Sequence, residues 1–158
     1  MPPPTFIKNA TMKKLMLLAG FILTLAVSAL AQKSEIYKTS DGAIHGYDAV
    51  AYFKQGKAVK GDTRYSYTWK DAKWLFESQQ DLDLFKANPE QYAPQYGGYC
   101  AYGTSQGHKA PTDPQAFTVA GGKLYLNYDA DIRKTWSKDQ TGYIQKADKN
   151  WPAIKNKE

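Results

Sequence analysis

Hydrophobic and polar positions follow three different patterns along this chain. Leu15 to Val27 is an uninterrupted apolar run with one Gly and one Thr. Tyr65, Tyr67 and Trp69 instead alternate with Ser66 and Thr68, the period-two pattern of a β-strand. After the turn Lys70-Asp71-Ala72-Lys73, the run Trp74-Leu75-Phe76 reads as the return strand. A second hairpin is expected at Phe117-Thr118-Val119, a Gly121-Gly122 turn and Leu124-Tyr125-Leu126. Helical spacing fills the gaps. Asp48 is placed to cap a short helix from Ala49 to Lys54, which Gln55-Gly56-Lys57 ends. Ser78 and Asp81 have the spacing of a capping box, with Leu82 and Phe85 on one face behind them and Asn88-Pro89 closing the helix. Asp129 or Asp131 caps a helix carrying Ile132 and Trp136. A final helix carries Tyr143, Ile144, Ala147 and Trp151. Residues 89–114 are punctuated by Pro and Gly and read as a long turn-rich segment, and polar residues 32–41 read as a flexible N-terminal arm. The pattern predicts an α+β domain of small antiparallel hairpins with short packed helices.

The charge distribution changes how the apolar run is read. The 158 residues carry a net charge of +6, but residues 1–31 contain three Lys and no Asp or Glu, so the remainder holds only +3. A basic Met12-Lys13-Lys14 start, the apolar run, and the small residues Ala29 and Ala31 fit a secretory signal peptide cleaved after Ala31. The run is short for a bilayer crossing. The expectation is a periplasmic or secreted protein that is free of the membrane after cleavage, with Met1 or Met12 as the initiator. Scattered single Lys residues argue against a nucleic-acid partner. One Cys excludes an internal disulfide, and two His exclude a cage built mainly of imidazoles.

The block Tyr65-Ser66-Tyr67-Thr68-Trp69-Lys70-Asp71-Ala72-Lys73-Trp74-Leu75-Phe76-Glu77-Ser78, followed by Phe85 and Pro89-Glu90-Gln91-Tyr92, resembles the YHS domain. Asp48-Ala49-Val50-Ala51-Tyr52 sits where related treble-clef modules have Asp-Pro-Val-Cys. Gly97-Gly98-Tyr99-Cys100-Ala101-Tyr102 looks like a segment of stand-alone exported members. The resemblance covers about residues 42–152, with 153–158 as a tail, and implies a treble-clef-like module with a C-terminal helical extension. It also implies metal binding through cysteines. Here the family's His falls on Ser66 and its Cys positions on Ala51 and Glu77, so a soft-metal site of four Cys, or three Cys and one His, cannot be built.

The residues left to carry chemistry are few. Cys100 is either a buried small hydrophobe or a thiolate serving as ligand or nucleophile. His108 follows it across Gly103 and Gly107, a segment able to fold back. Cys100 and His108 can therefore supply two ligands to copper or zinc, with Asp113 or His45 as a third. The expected function is non-enzymatic binding, with a metal ion, copper first, at Cys100 and His108. The competing reading is a metal-free module that takes a small molecule or protein partner on an aromatic pocket, the hairpin aromatics being divided between two faces. A thiol enzyme, with His108 as base and Asp113 orienting it, is the third.

Overall fold

The structure, a computed structural model, describes residues 34–157. The leader expected at 1–31 lies outside the described residues. Three two-stranded antiparallel sheets carry the chain: β1 (Lys38–Thr39) with β2 (Gly42–Ala43), β3 (Asp62–Trp69) with β4 (Ala72–Phe76), and β5 (Phe117–Ala120) with β6 (Lys123–Leu126). Around them pack α1 (Ala51–Gln55), α2 (Gln79–Ala87), α3 (Pro89–Tyr92), α4 (Ala101–Ser105), α5 (Ala130–Trp136) and α6 (Gln140–Ile154). The class is α+β, as the pattern predicts. None of the helices among the described residues is long and apolar enough to cross a membrane.

The β3–β4 hairpin turns more tightly than expected. Lys70 and Asp71 alone form the turn, both with positive φ (48° and 56°), and Ala72 already pairs with Trp69. That geometry matches the right-handed twist of the strands. The hairpin also places its aromatics differently. Tyr65, Tyr67 and Trp69 all lie on one face of β3, half-buried against the same core that encloses Trp74 and Phe76. Phe85 of α2 is the centre of this packing, with ring centroids 4.8 Å from Trp74, 5.1 Å from Phe76 and 5.8 Å from Trp69. The expected division between two faces does not occur, because all three β3 rings share the same strand parity. The opposite face of β4 carries Leu75, also buried.

A second core gathers Tyr96, Ala101, Tyr125, Trp136 and Ala147, with Tyr143, Ile144 and Trp151 packed against it. These residues include the helical spacing read for the last helix, which runs through Pro152 to Ile154. Two segments are more ordered than their composition implied. Residues 34–41 are not a loose arm: Ile36 is 3% exposed, Lys38 pairs with Ala43, and the Tyr37 amide donates to the Gly97 carbonyl at 2.8 Å. One apolar anchor, a short strand pairing and a backbone bond to Gly97 hold it where polarity had suggested freedom. The 89–114 segment contains α3 and α4 between its turns; Pro89 opens the first, at the position where a missing N–H costs nothing. Lys109 then ties the ends of the described chain together. Its Nζ donates to the carbonyls of Ser34 (3.4 Å), Lys155 (2.5 Å) and Lys157 (2.9 Å), above the rings of Tyr99 and Trp151.

Candidate metal centre

The chain reaches Asp48 through a strained approach. Ile44 and His45 both hold φ of 51°, a left-handed conformation unusual for a β-branched residue, and Gly46 follows at 77°. Asp48 is then fully buried, and its carboxylate binds two pieces of backbone, one adjacent and one remote. Oδ1 accepts from the amides of Val50 (2.8 Å) and Ala51 (3.2 Å), closing the turn that leads into α1, whose cap position is Val50 and not Asp48 as expected. The regular helix begins at Ala51, two residues later than expected. Oδ2 accepts from the Glu77 amide at 2.9 Å, just past the end of β4. The two positions where the resemblance places the family's cysteines, Ala51 and Glu77, are thus joined through one carboxylate.

Asp81 completes the arrangement from the first turn of α2. Its backbone amide donates to Ser78 Oγ at 3.2 Å, as a capping box requires. The side chain does not return to Ser78. It is fully buried, and its Oδ1 takes Lys54 Nζ at 2.6 Å. Its Oδ2 has no hydrogen-bond partner among the described residues. Glu77 is exposed beside it, with Gln55 Nε2 donating to its Oε1. Asp48, Glu77 and Asp81 each present an oxygen within 4.8 Å of the others, and no other such group of three His, Cys, Asp or Glu exists among the described residues.

Electrostatics follow from this crowding. Burial pushes the Asp48 carboxyl up to about 6, the Glu77 and Val50 amides pull it back, and a hydrogen bond shared with Asp81 together with the Asp81 charge raises it again. The Asp81 hydrogen bond and charge hold Lys54 above the usual lysine value. Two buried carboxyls this close cannot both ionise cheaply without a cation. Either a proton shared by the pair or a positive charge can meet the open oxygen of Asp81. The three side chains fit a hard cation with oxygen ligands, such as magnesium, manganese or calcium, and not a soft one.

The four residues nominated from sequence lie elsewhere. Cys100 caps α4: its Sγ accepts from the Gly103 amide at 3.4 Å and its thiol donates to Asn127 Oδ1 at 3.5 Å. It is 2% exposed, and burial pushes the thiol pKa up against the opposing amides of Gly103, Tyr128 and Tyr102. Asn127 Nδ2 lacks a partner among the described residues, but it is an N–H donor and offers nothing to a cation. His108 does fold back. Its amide donates to the Gly103 carbonyl, and its Nε2 would lie 3.3 Å from a Cβ at Gly103, close to the residue that bonds the Cys100 sulfur. His45 is half-buried, packs edge-on against Tyr37, and spends Nε2 on the Thr112 carbonyl at 2.8 Å. Asp113 is exposed and turns inward only to accept from the Gln115 amide. None of the four belongs to the three-ligand group.

Residues 50–96 match the family model of the YHS domain. The match spans α1, the aromatic hairpin, α2 and α3. It contains Lys54, Glu77 and Asp81 and starts two residues after Asp48, whereas His45, Cys100, His108 and Asp113 all fall outside it. Neither a curated protein nor a solved structure matches the chain.

Proposed function

We propose that this is an exported, non-enzymatic YHS module that binds a hard divalent cation through Asp48, Glu77 and Asp81. The single observation carrying this reading is the buried Asp81 Oδ2, which meets no N–H or hydroxyl donor among the described residues and stands beside two further carboxylates. A buried acceptor left open costs about 1–3 kcal/mol, so an incoming cation gains that amount before any other contact. Lys54 is the resident counter-charge. It is 39% exposed on a short helix and can swing out as the ion enters. Export rests on the basic start, the apolar run and the small residues before Gln32.

Copper or zinc at Cys100 and His108 is the second reading, favoured by the fold-back that brings His108 to Gly103. One experiment separates the two. The full chain is stripped with chelator, exchanged into chelator-free buffer, and titrated calorimetrically with manganese, calcium, zinc and copper(I), beside Asp81→Asn and Cys100→Ser. The expected result is stoichiometric manganese or calcium uptake that Asp81→Asn abolishes and Cys100→Ser leaves intact. Uptake of zinc or copper lost only in Cys100→Ser moves the site to Cys100. No uptake by either variant or the parent makes the carboxylates a structural ion pair with Lys54.

A further inference from the structure

A cavity of about 440 Å³ opens on a different part of the molecule, between the tip of the β3–β4 hairpin and α6. It contains none of the carboxylates described above. Three aromatic residues line it: Trp69 from β3, Tyr96 from the turn before α4, and Trp151 from α6, with Tyr96 and Trp151 centroids 6.0 Å apart.

Its charges are unbalanced in one direction. Lys70 pairs with both Glu35 (2.9 Å) and Glu90 (3.3 Å), so that wall keeps one negative charge in excess. Asp148 adds another. Its Oδ1 accepts from the Tyr96 hydroxyl at 2.8 Å, and the residue is otherwise exposed. Burial and the neighbouring carboxylate both raise the Tyr96 pKa, so the phenol remains a donor and Asp148 an acceptor. Lys123 is the one other base in the lining, so three acids against two bases leave a net excess of one negative charge. The protein already demonstrates what such a wall attracts: Lys70 Nζ sits 4.7 Å over the Trp69 ring.

We propose that this cavity binds a small quaternary ammonium ion, with the charge facing Asp148 and Glu90 and the methyl groups that carry it against Trp69 and Trp151. Ring faces attract desolvated ammonium groups, and nearby carboxylates add to that attraction. A cavity of this size belongs to the range that small ligands occupy.

The test is titration of the full chain, in the presence of chelator, with choline and with its uncharged isostere, in which carbon replaces the quaternary nitrogen. Tryptophan fluorescence and calorimetry report binding. Choline is expected to saturate the signal, and the isostere to bind at least about tenfold more weakly. Asp148→Asn, which keeps an acceptor for Tyr96, and Glu90→Gln, at an exposed position, are each expected to weaken choline by up to about tenfold while leaving circular dichroism unchanged. Equal binding of choline and isostere, or tighter binding of glucose, overturns the proposal in favour of an uncharged ligand. Absence of saturable choline binding overturns it outright, as does parent-like affinity in both variants.

Discussion

Asp48 and Cys100 occupy the same kind of place, each accepting backbone amides at the approach to a short helix from a buried position, and their surroundings differ in one respect. The thiol of Cys100 is neutral, and its one donor and its acceptor capacity are met by Asn127 and Gly103. Asp48 brings a carboxylate into an enclosure that already holds Asp81, and the pair is left with an oxygen that meets no N–H or hydroxyl donor among the described residues. A neutral cap can be completed by the protein alone. A pair of buried acids calls for a proton, an ammonium or a metal ion. Chemical potential for binding therefore resides where the charge is, and not at the residue type that first draws notice.

The comparison breaks most visibly at Asp48. Asp48→Ala removes the acceptor for the amides of Val50, Ala51 and Glu77 at once. The expected loss is about 3 kcal/mol or more in urea unfolding, from stranded buried donors and a turn left unclosed. A loss below about 1 kcal/mol would mean that the carboxylate holds nothing together.

Titration gives the intermediate effect. The ordinary Asp value of 3.8 rises to about 6 in the folded protein, so folding favours the protonated form of Asp48. Its contribution to stability is full below about pH 4 and is lost as pH rises through about 6. Unfolding curves of the chelated protein compared with Asp81→Asn check this. Removing the Asp81 charge lowers the Asp48 pKa, so the variant should lose that contribution at lower pH than the parent. Coincident pH profiles would show that the two acids do not sense one another.

Cys100→Ser should do least. Serine is a favoured cap and can make the same two bonds, so stability is expected to change by no more than about 1 kcal/mol. The native thiol, buried and with a raised pKa, should resist maleimide until the protein unfolds. Rapid labelling of folded protein near neutral pH would contradict its enclosure.

Much of this fold was legible locally. Gly56 ends α1 with φ of 64°, Ser78 and Asp129 cap their helices, and the Gly121-Gly122 turn joins β5 to β6. These features depend on neighbours a few residues apart. Asp81 shows where local reading stops. Its spacing from Ser78 is correct for a capping box, and its amide does bond there, but the side chain is drawn away by Lys54, distant in sequence. The union of Asp48 with Glu77 is likewise invisible until the hairpin folds. Cys100 was read for its chemistry because cysteine is an uncommon cap, and nothing in its sequence neighbourhood announces Asn127. Ile36 is a single apolar residue in a polar stretch, too little for a pattern and enough for an anchor.

The lysine at position 109 has a consequence for how the molecule can be rewired. By gathering the carbonyls of Ser34, Lys155 and Lys157 around one ammonium, it sets the two ends of the folded body side by side. A short Gly-Ser bridge could join them, and new ends could be opened at the exposed Gly121-Gly122 turn, giving a circular permutant that keeps both cores. A cargo domain fused at either end would emerge from the same corner, away from that turn's position in the chain order, so the body behaves as a plug-in unit with a single point of attachment.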